Sequence, residues 1–332
     1  MKKLAISFMT YNRPKHIRED LHCIAQPAKE HGIDIYIFDG STDQRTEQVV
    51  DQYREKGYDH IYYFHVDKQL SKKESVLQRC EDAFRMPDAE YVWMCGDKFV
   101  IRPEHYIKIL EYIDKSYDII TIYGFDLKGT RKFNKVSGYA DYAIVPLTLW
   151  GANIIKKKLV EPFRIGEEIN KVPSFGIQSI YLQAIAKCQD FKGVVIDAGN
   201  QVNIGSRYKT RSGSQGYMWS AWVINWYRFI ESLPEAYDDV REKLYNRMDL
   251  KMQFFSLRNL LRQRSEGQFG WQDCWKDRKL AQKVIVMPYV FVLGISLLPQ
   301  DAAKRLWSVV DYIRETYAWI KNSVRLIGEK LR

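Results

Sequence analysis

Three polar clusters, each directly following a short apolar run, carry residue types that can handle a phosphorylated ligand. The run at 4–9 ends in Thr10-Tyr11-Asn12-Arg13-Pro14, the run at 33–38 in Asp39-Gly40-Ser41-Thr42-Asp43, and the run at 91–95 in Gly96-Asp97-Lys98-Phe99. Hydroxyl, amide and guanidinium groups donate to phosphate oxygens, whereas carboxylates accept from base N–H groups and ribose hydroxyls and ligate hard cations. Asp39-Gly40 also suits a tight turn, and its place at the end of an apolar run favours the ligand role. A fourth cluster, Leu70-Ser71-Lys72-Lys73-Glu74-Ser75, offers Lys72 and Lys73 to a diphosphate, or is a solvated helix start capped by Ser71. Between 205 and 214, Arg207, Lys209 and Arg211 stand in a Gly/Ser-rich segment that reads as a loop, either a basic lid over a pyrophosphate or a plain connection.

These clusters need a scaffold that brings them together. Runs of β type at 4–9, 33–38, 60–64, 91–95 and 118–123 alternate with helical stretches, the pattern of an α/β fold with a mostly parallel sheet flanked by helices. Pro14 and Pro103 each suit a first helical turn, where the missing N–H costs nothing. Ligands of open sheets bind at the carboxyl ends of strands, so the turns at 10–13, 39–43 and 96–98 are expected to converge on one crevice.

The Thr-Tyr-Asn-Arg and Asp-Gly-Ser-x-Asp motifs on successive strands resemble the family 2 glycosyltransferases of the GT-A fold, of the bacterial envelope polysaccharide type, over about residues 3–200. The resemblance implies a nucleotide-sugar site containing Thr10, Asn12, Arg13, Asp39, Ser41, Lys72, Lys73, Asp97, Lys98, Arg207 and Arg211. Thr10 and Asn12 would line the nucleotide pocket, and Asp39 would accept from the base. Asp97 matches the first acid of a cluster that, in the family, binds ribose and holds Mg²⁺ or Mn²⁺ against the donor diphosphate. Lys98 stands where a further acid is expected, so the metal site is in doubt. Either Asp97 binds a metal weakly with water and phosphate oxygens, or Lys98 supplies the positive charge itself, or the domain is degenerate. The segment 150–157 resembles the family's acceptor-side stretch, but the acidic pair that should follow is replaced by Ser174-Phe175-Gly176-Ile177-Gln178. The nearest carboxylates for the catalytic proton acceptor are Asp141, Glu167 and Glu168, each of which also reads as an ordinary exposed acid. No histidine follows His105, which excludes an imidazole base from the second half. The implied reaction moves a sugar, UDP-sugars being the favoured donors, to a lipid-linked or cell-envelope glycan acceptor such as capsule, teichoic acid or lipopolysaccharide, with inversion.

Composition sets the outer limits. A chain of 332 residues with 46% apolar content suits a catalytic domain at 1–217 and a helical region at 218–332. Five widely spaced cysteines without a Cys-x-x-Cys pair argue against a disulfide framework and a zinc site, and place the chain in a reducing, cytoplasmic compartment. The opening apolar run is too short for a secretion signal. Of the net charge of +10, residues 251–332 hold 15 Lys or Arg against 7 Asp or Glu, a net +8. The apolar run at 284–298 is shorter than the ~20 residues that cross a bilayer. After Pro299, Leu306, Val310, Ile313, Tyr317, Ile320, Val324, Ile327 and Leu331 alternate steps of four and three, with lysines and arginines on other faces. That helix either packs on its own domain, pairs with a second copy as a homodimer, or lies on an anionic inner membrane surface. Trp219, Trp222, Trp226, Phe229 and Leu233 form an apolar stripe expected in the core. A sugar nucleotidyltransferase would carry a Gly-rich, Arg-containing loop after the first strand, and this chain does not. The remaining alternative, a non-catalytic membrane or nucleic-acid adaptor, leaves the Asp39 and Asp97 turns without a purpose, so nucleic acid is not expected as a partner.

Overall fold

The computed structural model describes residues 1–66, 70–97, 103–123, 129–198 and 218–330. The chain forms two compact units, Met1–Thr210 with Phe229–Glu242, and Arg211–Arg228 with Lys243–Arg332.

The first unit is built on eight strands: β1 (Lys2–Thr10), β2 (Asp34–Asp39), β3 (Ile61–His65), β4 (Ala89–Gly96), β5 (Ile119–Tyr123), β6 (Arg131–Phe133), β7 (Asn153–Lys156) and β8 (Gly193–Asp197). They form one sheet in the order β3-β2-β1-β4-β7-β5-β8-β6. Strands β1 to β4 are mutually parallel, as are β5 and β8, while β7 and β6 run antiparallel to their neighbours. Burial on both faces explains why β1 and β2 read as continuous apolar runs rather than alternating ones. The connecting helices are α1 (Pro14–Glu30), α2 (Arg45–Arg54), α3 (Lys72–Arg85), α4 (Pro103–Asp114), α5 (Val136–Leu147), α6 (Lys157–Val160), α7 (Ile165–Lys171) and α8 (Gly176–Ile185). Pro14 and Pro103 open α1 and α4, as expected from their fixed φ.

One apolar core joins Leu4, Ile6 and Phe8 of β1 to Ile17, Leu21 and Ile24 of α1 and to Tyr106 and Ile109 of α4. Residues of opposite parity on β1 face α3, where the Ser7 hydroxyl donates to the Ala83 carbonyl at 2.9 Å. All five expected strands are present. The segment beyond 124, read from sequence as irregular, holds β6, β7, β8 and four helices in addition. Strands of three and four residues are too short for a period-two pattern to register. Helix α5 contains Gly138 and Pro146, and α8 is buried on nearly every side, so neither shows the one-sided stripe that marks a surface helix.

The second unit is helical, comprising much of α9 (Trp226–Glu231) and α10 (Asp238–Met252), and then α11 (Leu257–Ser265), α12 (Trp271–Lys276), α13 (Arg278–Val284), α14 (Tyr289–Leu297) and α15 (Gln300–Lys330). Trp219 stacks on Phe269 and meets Phe255 edge-on, and the Trp226 indole donates to the Tyr245 carbonyl at 2.8 Å. Phe229, in the first unit, stacks on Phe175. The aromatic stripe therefore serves packing, as expected, with Trp222 half-buried. The apolar run after 284 is broken at Pro288 and yields the nine-residue α14; no described helix is long and apolar enough to cross a membrane. Helix α15 buries Ala303 and ties Asp311 to Arg258 at 2.6 Å, yet leaves Leu306, Val309, Ile313 and Tyr317 exposed.

Candidate active site

Register decides which polar turns meet. Thr10, the last residue of β1, lies beside Asp39 of β2, and Met9 lies beside Gly96 of β4, so the Asp39 and Asp97 turns flank one strand end. The Thr10 hydroxyl donates to Asp97 Oδ2 at 3.0 Å, and Arg13 Nη1 donates to Asp97 Oδ1 at 2.7 Å. Asp97 is 5% exposed, so this ion pair is screened far less than a surface pair.

Asn12 adopts φ +54°, a left-handed conformation that asparagine tolerates better than most residues. The bend aims its backbone N–H at Ser41 Oγ, 2.8 Å away, while its side-chain carbonyl accepts from the Thr42 N–H at 3.1 Å. Behind them Asp39 is fully buried. Its Oδ1 accepts from the Ser41 N–H at 2.8 Å and from the Ser41 hydroxyl, and its Oδ2 accepts from the Tyr63 hydroxyl at 3.0 Å. Burial, then the Asp39 carboxylate, push the Tyr63 phenol well above its ordinary range, so Tyr63 remains a donor.

Helix α3 closes the site from one side. Ser71 caps it in a reciprocal box with Glu74, Ser71 Oγ accepting from the Glu74 N–H at 3.3 Å and the Glu74 carboxylate accepting from the Ser71 N–H at 2.9 Å. Two turns on, Arg79 is 6% exposed and donates to the carbonyls of Thr10 and Ser75, with its guanidinium 6.0 Å above the centre of the Tyr11 ring. Burial lowers the Arg79 pKa against the pull of Cys80, Asp39 and Asp97. Gly40 permits this approach, because a Cβ there would stand 2.9 Å from Ser75 Oγ and 3.0 Å from Arg79 Cζ.

The result is a cavity of about 510 Å³ walled by Thr10, Tyr11 and Arg13, by the turns at 40–42 and 96–97, by α3 and by Trp150. Thr10, Arg13, Ser41 and Asp97 face it, while Asn12 and Asp39 stand behind its wall and shape the turns. Lys72 and Lys73 begin α3; Lys73 is exposed and is not among the residues lining the cavity, and the Lys72 side chain lies outside the described residues. Lys98, Arg207 and Arg211 lie outside the described residues. Asp141 sits half-buried on α5, Glu167 is exposed on α7 beside Arg164 at 3.1 Å, and Glu168 accepts from Lys171 at 2.6 Å and Gln183 at 3.2 Å. None of these three carboxylates is among the residues lining the cavity. Arg79 and Tyr63 escaped the sequence reading, whereas Trp150 opens the 150–157 stretch that it set on the acceptor side. Arg79 stands four residues after Ser75 and three after Val76, the spacing of neighbours on a helix surface, and that spacing could have pointed from the helix start to Arg79.

The described residues do not fit a conventional divalent-cation site. Both oxygens of Asp97 are engaged, and no cluster of three or more His, Cys, Asp or Glu side chains that could hold an ion occurs among the described residues. Among the described residues, the charged side chains on the cavity wall are Arg13, Arg79 and Asp97, which sum to +1.

The paired strand-end turns match a known family: residues 6–167 fit the model for Glycosyl transferase family 2. The N-terminal domain belongs to this glycosyltransferase family. A search of curated proteins returns no match. Among solved structures, the chain is similar to S. aureus TarS 1-349 in complex with UDP, with a TM-score of 0.55, 17% identity and coverage of 95% of this chain and 92% of that one. The same TarS segment in complex with UDP-GlcNAc gives a TM-score of 0.54 at 16% identity, with the same coverages of 95% and 92%. These similarities show the fold, and the glycosyltransferase domain here is accordingly of the GT-A type, with its cavity at the carboxyl ends of β1, β2 and β4.

Proposed function

We propose that this glycosyltransferase moves a sugar from a UDP-sugar to a hydroxyl of a lipid-linked or cell-envelope glycan, with inversion at the anomeric carbon. The observation that carries the reading is the meeting of the 40–42 and 96–97 turns around Thr10 and Arg13 in a single cavity. The fold shared with TarS, crystallised with UDP and with UDP-GlcNAc, supports uridine nucleotides as the donor class.

In this reading the half-exposed ring of Tyr11 offers a flat face to the base. Asp39 holds the turn whose Ser41 faces the nucleotide, and Thr10 with Asp97 meets the ribose hydroxyls. The acceptor oxygen attacks the anomeric carbon opposite the leaving diphosphate; the bond from that carbon to the phosphate oxygen breaks, and the acceptor proton passes to a carboxylate. Asp141, Glu167 and Glu168 are the candidates for that last role.

The second unit supports an acceptor at the cytoplasmic face of a membrane. Its tail carries the net +8 of residues 251–332, and α15 exposes an apolar stripe, the composition of a helix that lies on anionic lipid.

A thermal-shift screen with UDP, GDP and CDP tests the donor class. A ligand at a hundred times its Kd stabilises by about 2.7 kcal/mol, enough to move a melting temperature by several degrees. UDP is expected to stabilise most, and hydrolysis of a UDP-sugar panel then identifies the sugar. Stabilisation by anionic vesicles or oligonucleotide with none by any nucleotide would overturn the reading in favour of an adaptor.

A further inference from the structure

We propose that the cavity holds the donor diphosphate without a bridging divalent cation, the positive charge coming from Arg13 and Arg79. This inference rests on the donor reading above and departs from the metal-bridged arrangement that the fold family implies.

Four observations lead to it. A divalent site needs free, negatively charged oxygen ligands, and among the described residues the cavity wall has one carboxylate, Asp97, whose two oxygens are engaged by Arg13 and Thr10. Recruiting Asp97 to an ion would break a 2.7 Å ion pair at a 5% exposed carboxylate and leave Arg13 beside a dication. The sequence at 98–102 and at 199–217 contains no Asp, Glu, His or Cys, so neither segment adds a charged ligand of the kind the family uses there; Asp67 and Asp126 lie outside the described residues. Finally, Arg79 is a buried guanidinium whose hydrogen bonds run to backbone carbonyls rather than to a carboxylate. A buried cation held this way is costly unless an anion completes it, and the cavity it lines is where that anion would sit.

The geometry divides the work between the two arginines. Arg79 is fixed in place by α3 and supplies a pre-set positive potential from the cavity wall. Arg13, with its side chain 41% exposed and one nitrogen on Asp97, keeps donors free to turn toward phosphate oxygens. As the donor bond breaks, these guanidinium groups offset the charge gathering on the departing diphosphate, the part a metal plays elsewhere.

Titration calorimetry of the full chain with UDP, in EDTA and in Mn²⁺, tests this directly. The two Kd values are expected to agree within fivefold. Binding more than fivefold tighter in Mn²⁺ would overturn the inference while leaving the donor assignment intact, whereas no UDP binding in either buffer would overturn the donor assignment itself. The partly exposed Arg13 gives a second readout with little risk to folding. Arg13→Gln should weaken UDP at least tenfold in EDTA and leave uridine within twofold, because uridine lacks the diphosphate. Equal loss for UDP and uridine, or no loss for either, would remove Arg13 from the diphosphate site.

Discussion

Asp39 illustrates how a residue can be correctly located from sequence and still act at one remove. It sits at the end of β2 beside Thr10, yet its carboxylate is buried and committed to Ser41 and Tyr63, so its first effect is on the shape of the 40–42 turn. Tyr63→Phe removes one of those donors and leaves a buried carboxylate short of a partner. Urea denaturation should show a loss of about 1–3 kcal/mol, with UDP binding weakened as the turn loosens. Gly40→Ala probes the same turn from the opposite side. The added methyl meets Ser75 and Arg79 at about 3 Å, both held by packing, so overpacking should cost about 1–3 kcal/mol in the same assay and weaken UDP at least tenfold. Unchanged UDP affinity in a folded Gly40→Ala protein would detach the close approach of α3 from donor binding.

At the scale of elements, helices α1 and α3 cover opposite faces of the β1–β2 ladder, and the seam between α1 and β3 contains a pH-sensitive contact. His60, half-buried just before β3, donates from Nε2 to the Ala25 carbonyl at 3.1 Å. Burial lowers its pKa below the ordinary 6.5, with the Ala25 carbonyl and Asp34 opposing. The folded state therefore binds fewer protons than the unfolded chain just below pH 6.5, and His60 contributes stability that is complete above that pH and lost as the pH falls. Thermal melts between pH 7.5 and 5.5 should fall more steeply for the native chain than for His60→Gln; parallel curves would show that His60 does not couple folding to protons. The same register that builds this seam aligns the strand ends, so elements rather than individual residues bring the Asp39 and Asp97 turns together.

Across the whole molecule, the cavity and the exposed apolar stripe fall in different units. The donor cavity is formed within the first unit, and the exposed apolar stripe and most of the basic excess belong to the second. A variant with Ile313→Glu and Tyr317→Glu should lose flotation with phosphatidylglycerol vesicles at least fivefold while binding UDP as before. Undiminished flotation would remove α15 from membrane attachment, and conversion of a native dimer to a monomer by the same variant would assign the stripe to pairing between copies.

What the sequence determined by itself follows from short-range physics. Long buried strands must be apolar, helices open at proline or a capping serine, and turns need small polar residues, so the first five strands, the starts of α1, α3 and α4, and the Thr10, Asp39 and Asp97 turns were all legible. The family resemblance came from those same turns. Only the tertiary structure decided which side chains face the cavity, because that depends on register between β1, β2 and β4 and on how closely α3 can approach Gly40. Arg79 reaches the site from 69 residues beyond Thr10, and Arg13 meets Asp97 across 84. Local patterning cannot register contacts at that separation. Long-range packing creates them, and here it sets the Asp97 carboxylate against Arg13.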